Sequence, residues 1–380
     1  MTETERPLRF GFVGCGEHAR MSLYPSLRAA FGGAPDGLPA LVLSQQGRGQ
    51  PPLLAELVAL ADHKRDLAAR VAAFHGVRRV YADHREMLDA ERLDAVIVCM
   101  HPRRQARTAI ECLERGVHVW VEKPPAESVA AALDMQAAAA RAGRHLAVGY
   151  MKRFSAPYLR AKAFLARPAF GPPTVFESRF TYGRYPVDVY RFLNGFATHH
   201  LDLPRFFMGD VESVYAERVS RGAGLDGYAL TLRFAGGALG LINVNCLEGE
   251  HNNWSERVAV TGVGGRVFVE NWRRVIGFLP DDPQTYYWEP EDIRPADDQN
   301  SLAVHGFVGE LRDFAASVRE GRPPACTIAD GVAALRLERA VDLSVERGVR
   351  VRLTDADADA DAGGPAACAA GPPGGTIPEA

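Results

Sequence analysis

A chain of 380 residues is longer than one hydrophobic core usually fills, since single cores stop growing at roughly 250 residues, so two domains with a cleft between them are expected. With 47% apolar residues, 24% charged residues and a formal net charge of -3, the composition is globular and lacks the basic excess that draws nucleic acid or an anionic membrane, so neither partner is expected. Cys15, Cys99, Cys112, Cys246, Cys326 and Cys368 show no CxxC or Cys/His spacing, which argues against a metal site and fits reduced thiols.

The opening MTETERPLRF leads straight into a strand, and no apolar run approaches the roughly 18 residues of a membrane span, so a cytoplasmic location is expected. From Leu8 to Val148 short apolar runs alternate with Ala-, Leu- and Arg-rich stretches, the pattern of a parallel sheet covered by helices. The predicted strands are LRFGFVGC, AELVALAD, DAVIVCM, VHVWVEK and HLAVGY, and Gly116 and Gly143 sit where helices would stop. Residues 1–150 thus read as a doubly wound Rossmann domain. Residues 32–52, rich in Gly, Pro and Gln, read as an inserted surface loop whose LVLS forms at most a small strand.

After Tyr150 the period changes to two. TVFESRFTYG, VESVYAERVS, YALTLRFAGGALGLINVNCLE and ERVAVTGVGGRVFVEN alternate apolar and polar residues, with Gly236-Gly237 and Gly264-Gly265 as hairpin turns. Residues 151–353 therefore read as an α+β domain on a large, mainly antiparallel open sheet. Two late helices, HGFVGELRDFAASVREG and Ile328 to about Arg347, should pack on that sheet or back on the first domain. The tail 354–380, DADADADA followed by Gly, Pro and Ala, buries too little apolar area to offset its ordering entropy and is expected to be disordered.

Three motifs carry chemistry. In GFVGCGEHA, Gly14, Gly16 and Ala19 form a GxGxxA array between a strand and a helix: Gly14 for the tight turn, Gly16 for close backbone approach to a pyrophosphate, Ala19 for helix-on-strand packing. Cys15, Glu17 and His18 lie within this turn, whose unpaired N–H groups suit an anion. An acid at the end of the second strand should hold the adenosine ribose. Asp36 has the usual spacing but lies in a GGAPDG turn; Asp62 ends AELVALAD and is correctly placed once the insert is discounted. Asp62 favours NAD over NADP by repelling a 2'-phosphate, while Lys64 and Arg65, beyond His63, keep NADP open. Third, VHVWVEKPP presents Glu122 and Lys123 at the carboxyl end of a strand, where open α/β sheets place ligands. An ammonium there can stabilise the alkoxide charge that develops as hydride leaves a carbinol.

Taken with GYMKRFSAPY, THHLDLPRFFMGDVESVYA and FVGELRDFAASVREGRPP, these motifs resemble the glucose-fructose oxidoreductase, inositol dehydrogenase and rhizopine catabolism (Gfo/Idh/MocA) family from about Leu8 to Leu353. The resemblance implies hydride transfer between NAD(P) and a hydroxyl or carbonyl of a sugar, inositol or related small molecule. It also implies a homo-oligomer, dimer or tetramer, joined through the second sheet. It assigns the reacting-oxygen role to Lys123 and the acid/base role to His199, three residues before Asp202-Leu203, with the adjacent His200 open by spacing. Many relatives carry an Asp four residues before this His; here that position is Gly195, so the familiar relay does not transfer intact. Family position puts Arg153 near the cleft. Tyr182, Arg184, Tyr185, Tyr190 and Arg191 make a polar, aromatic cluster that suits a polyhydroxylated or anionic substrate or a simple exposed loop. Met100, His101 and Pro102 are expected to line the nicotinamide end, and EGEHNNW, 248–254, is a weaker pocket candidate. Two alternatives remain: a dinucleotide-binding sensor or scaffold without chemistry, motivated by Gly195, and a reductase of an imine or non-sugar ketone.

Overall fold

The structure is a computed structural model describing residues 6–31, 55–185, 191–248, 254–280, 282, 284–290 and 298–358. The predicted insert at 32–52 with its LVLS, Asp36, Tyr190, residues 249–253 of EGEHNNW and the tail beyond 358 lie outside the described residues.

Six parallel strands form the first sheet: β1 (Leu8–Val13), β2 (Ala55–Ala61), β3 (Arg79–Tyr81), β4 (Ala95–Val98), β5 (His118–Glu122) and β6 (Leu146–Gly149), in the order β3-β2-β1-β4-β5-β6. The strands flanked on both faces read as unbroken apolar runs; all four residues of β4 are buried. β3 was not anticipated, because RVY at the sheet edge is three residues long, opens on a charged residue and is mostly exposed. Helices Arg65–His75 and Val129–Ala142 end on left-handed Gly76 and Gly143. Strand order reverses between β1 and β4, so the crevice for a ligand opens beyond the carboxyl ends of these strands, beside Gly14 and Met100.

The second sheet has nine strands: β7 (Pro173–Thr181), β8 (Val211–Ser220), β9 (Asp226–Phe234), β10 (Leu239–Asn245), β11 (Ser255–Gly262), β12 (Arg266–Glu270), β13 (Arg274–Phe278), β14 (Tyr286–Trp288) and β15 (Val351–Arg352). Their order is β14-β13-β12-β11-β7-β10-β9-β8-β15, antiparallel throughout except where β10 runs parallel to β7. Alternation puts Phe176, Leu230, Leu232, Ile242, Val244, Val258 and Val260 into the core, under helices Thr198–Met208 and Ile328–Arg347.

The two late helices divide the expected roles. Phe307–Glu320 packs back on the first sheet's helix Tyr24–Phe31, with the Phe314 and Phe10 rings 5.9 Å apart. Ile328–Arg347 joins the halves: Val332 and Leu335 enter the core of the nucleotide sheet, while Leu337, Ala340, Val341 and Leu343 enter that of the second sheet. The first residues of the segment expected to be disordered, 354–358, are ordered. Asp355–Ala358 adds a helical turn with Ala356 fully buried, because the Leu353 N–H pairs with the Glu212 carbonyl and carries the chain back onto β8. Among the described residues no helix is long and apolar enough to cross a membrane.

Candidate active site

The glycine turn is built for close approach. Gly14 has φ +107°, and a Cβ there would lie 2.1 Å from the Cys99 carbonyl oxygen, so only glycine fits; Gly16 faces open space. Ala19 is fully buried under the helix, where GxGxxA requires a small residue. Asp62 emerges from β2 beside this turn. Its carboxylate accepts from the Cys15 N–H at 2.7 Å and the Lys64 N–H at 2.8 Å, leaving lone pairs for a ribose diol. His63 lies 3.3 Å from Asp62, while Glu17 and Lys64 are exposed.

Met100, His101 and Pro102 form the next lip. The His101 ring accepts from the Arg103 N–H at 3.3 Å and caps helix Pro102–Glu114, with Pro102 in its first turn. Gln105, one turn on, was missed by sequence reasoning although it holds the loop together. Its amide donates to the Pro124 carbonyl at 3.0 Å and to that of Glu122, while its oxygen accepts from the Met100 N–H at 3.3 Å. The only signal was a polar residue on the buried face of an amphipathic helix.

The Glu122 side chain is buried and links the glycine turn to its own loop. One oxygen lies 2.8 Å from His18 Nε2 and the other accepts from the Lys123 N–H at 2.7 Å. Burial raises the Glu122 carboxyl, but His18 and Lys123 override this and hold it below the ordinary range. Glu122 therefore shapes the turn from behind. The Lys123 ammonium points the other way, across the junction, and donates to the Gly195 carbonyl at 3.2 Å. Glu310, on helix Phe307–Glu320, is 2% exposed with neither carboxyl oxygen hydrogen-bonded. Burial, then the Glu122 charge, push its carboxyl well above the ordinary range despite Lys123.

Geometry separates the two histidines that spacing left equal. The His200 ring is partnered at both nitrogens: Nδ1 with Ser178 Oγ at 2.6 Å, Nε2 with Lys152 and Glu256 at 3.4 Å. His199 sits edge-on to the Tyr150 ring, 6.0 Å away, with its Nδ1 buried and unpartnered. Burial lowers the His199 imidazole well below its usual value, and Lys123, Lys152, His200 and His18 lower it further, so the ring is neutral near pH 7.

Under this junction lies a second polar cluster that the sequence did not announce. Lys152, 4% exposed, is ion-paired with Glu256, which also accepts from the Tyr158 hydroxyl. The Trp272 indole lies 4.9 Å from the Lys152 ammonium and stacks on His305 at 4.1 Å. Asn271 and Trp272 make the β12–β13 turn with φ 49° and 56°, common for Asn but strained for Trp. Asn271 and Glu256 exchange two hydrogen bonds that hold this turn over the lysine.

Arg153 is held within the fold. The residue is 7% exposed, and its guanidinium is bidentate to Asp202 at 2.7 and 2.5 Å and 3.0 Å from Asp330, tying together the helices that carry these acids. Arg191 is likewise taken by Glu338 and Asp342, and Arg184 by the Ala223 carbonyl. Tyr182 is half-buried against Phe196, 4.8 Å between centroids, beside the Gly195 turn. Trp254 reaches the Trp272 ring at 6.2 Å. A cavity of about 390 Å³ opens behind helix Thr198–Met208, lined by Asp202, Arg205, Asp330 and Arg336. Neither Lys123 nor His199 lines it, so it is separate from the junction.

A glycine turn, an acid following β2 and a lysine that reaches the Gly195 carbonyl thus line the carboxyl ends of the first sheet, facing the helix that carries His199. Residues 8–150 match the oxidoreductase family with an NAD-binding Rossmann fold, and residues 167–353 match the C-terminal alpha/beta domain of the same family. The chain belongs to the Gfo/Idh/MocA oxidoreductase family. Myo-inositol 2-dehydrogenase of Thermotoga maritima is 28% identical over 79% of this chain and 92% of its own. The NAD(+)-dependent scyllo-inositol 2-dehydrogenase of Bacillus subtilis is 26% identical over 79% and 89%. Levoglucosan dehydrogenase, solved with NADH and levoglucosan, shares the fold with a TM-score of 0.76 at 18% identity, covering 92% of this chain and 100% of that one. This Gfo/Idh/MocA member is an NAD-binding oxidoreductase. The open space at Gly16 and the free lone pairs of Asp62 fit the pyrophosphate and ribose of NAD.

Proposed function

We propose that this oxidoreductase transfers hydride between nicotinamide and the hydroxyl or carbonyl carbon of a sugar, inositol or similar polyol. The observation that carries this reading is the Lys123 ammonium crossing from the nucleotide sheet to the Gly195 carbonyl, one helical turn before His199. Bound NAD supplies the acceptor for the hydride leaving the carbinol carbon, or, reduced, its donor. Gly14, Cys15, Gly16 and Asp62 hold its dinucleotide half, with Met100, His101 and Pro102 along the nicotinamide end. Lys123 donates to the reacting oxygen and stabilises its developing charge. His199 takes the hydroxyl proton as C–O becomes C=O, and returns it in the reverse direction. Because the ring is held neutral, the form present at neutral pH is the unprotonated one that a proton acceptor requires.

Leu239 and Leu241 project from the outer face of the second sheet, and this supports subunit pairing there as a dimer or tetramer. All five described cysteines are free, which supports work in a reducing compartment such as the cytoplasm. The experiment is to titrate the purified protein with NADH and NADPH, then follow nicotinamide absorbance with polyols and their ketones. The reading predicts NAD-linked turnover of at least one polyol that Lys123→Ala lowers by about 10²-fold. Tight NADH binding with no turnover would replace it with a sensor, and turnover confined to imines or non-sugar ketones would move the substrate class.

A further inference from the structure

We propose that the substrate is a sugar acid, whose carboxylate is held by the Lys123 ammonium together with the reacting oxygen. The inference rests on the hydride-transfer reading above and specifies its substrate class. An ammonium has three N–H donors, and Lys123 gives one to the neutral Gly195 carbonyl at 3.2 Å. Two donors remain, enough to bridge a carbinol oxygen and a carboxylate oxygen on the neighbouring carbon.

The neighbouring acids are committed elsewhere. Both Glu122 oxygens are taken, by His18 and by the Lys123 backbone N–H. Glu256 is paired with Lys152, Tyr158 and His200, and Asp202 with Arg153. Glu310 is buried without any hydrogen bond, and its burial favours the uncharged acid. Among the described residues, then, no carboxylate touches the Lys123 ammonium, and Gly195 offers it no side chain. His199 has the matching deficit: its buried Nδ1 has no hydrogen-bond partner, and after burial the groups that most strongly oppose its protonation are the cationic or basic Lys123, Lys152, His200 and His18. A base that must become a cation in such a field needs an anion close by, and a bound carboxylate provides one at the moment the proton arrives. A neutral polyol leaves both the ammonium and the nascent imidazolium uncompensated.

The test compares matched pairs at saturating NAD: D-gluconate with D-glucitol, D-galactonate with D-galactitol, and D-mannonate with D-mannitol. The inference expects the acid to exceed its neutral partner in kcat/KM by about tenfold or more, with the gap narrowing as sodium chloride is raised. Gly195→Asp, which sets a carboxylate beside Lys123, is expected to reduce that ratio by about tenfold while leaving NADH affinity unchanged. If Gly195→Asp melts early, Lys123→Gln serves, its acid-to-neutral ratio falling toward one. Neutral partners used equally well or better, or ratios unmoved by either variant, overturn the inference while the dehydrogenase reading stands. If no pair turns over, sugar acids are not substrates and the inference is overturned; the dehydrogenase reading falls with it only if inositols, other polyols and their ketones also give no turnover.

Discussion

Two lysines meet at the junction of the halves, and the protein treats them in opposite ways. Lys152, beneath the second sheet, is 4% exposed and fully matched: a carboxylate partner, an indole face and a neighbouring imidazole. Lys123, at the end of β5, is half-buried and bonded only to a neutral carbonyl among the described contacts. A buried ion must be matched within the fold because desolvation is costly, so Lys152 belongs to stability. An incompletely matched ion at a cleft keeps its field for a ligand, and on this ground Lys123 is the one proposed for chemistry.

The largest effect expected from this contrast is on folding. Lys152→Ala strands Glu256 and should cost about 3–5 kcal/mol in urea unfolding at neutral pH, whereas Lys123→Ala should stay within about 1 kcal/mol of wild type. Burial raises the Glu256 carboxyl, but Lys152 and His200 hold it well below the ordinary range. The pair's stabilisation is therefore complete above the ordinary glutamate range and is lost as pH falls through the depressed value. Lys152→Ala and wild type should converge in strong acid; a constant gap across pH would show that Lys152 acts only by packing.

Next comes turnover. Lys123→Ala should lower kcat by about 10²-fold with nearly unchanged NAD affinity, and equal losses in both would reassign the residue to cofactor binding. The adjacent histidines sharpen the same division. His199→Gln should lose about 10²-fold in kcat with an intact melting curve. His200→Gln should instead cost about 1–3 kcal/mol in stability through Ser178 and Glu256. The reverse pattern would move the acid/base role to His200. With His199 depressed, the acid limb of kcat/KM for oxidation should lie below pH 6.5, where a limb at or above that value would contradict a buried neutral base.

The smallest effect concerns Glu310, whose folded pKa is raised. A carboxyl kept protonated by the fold contributes no penalty below its unfolded value, and stability declines as pH rises from there toward the folded one. Glu310→Gln removes the ionisation. It should gain about 1–2 kcal/mol at pH 8 and nothing near pH 4, as read by melting temperature. A loss at pH 8 would show an ionised Glu310 paired in solution.

Much of this was legible in the sequence because it depends on neighbours along the chain. GxGxxA needs its glycines within one turn, EKPP follows its own strand, and a change of period from buried runs to alternation marks the passage between sheets. What escaped was non-local. β3 was too short and polar to show as a strand, and Gln105 looked like any polar helical residue until its amide met the Pro124 carbonyl. Arg153 read as a cleft residue by position, but Asp202 and Asp330, 49 and 177 residues away, claim it. Nothing in the text of Glu256 or Trp272 marks either as a neighbour of Lys152, since a hairpin with two left-handed residues delivers them.

From sequence alone follow the two-sheet architecture, the dinucleotide turn and the places of Asp62 and Lys123 at strand ends, because local periodicity and backbone requirements are written in adjacent residues. Only the tertiary structure gave His199 and His200 different partners and gave Lys123 a carbonyl where an acid was missing. Hydrogen-bond partners and desolvation are properties of packed surroundings, and strands and helices far apart in the chain supply them.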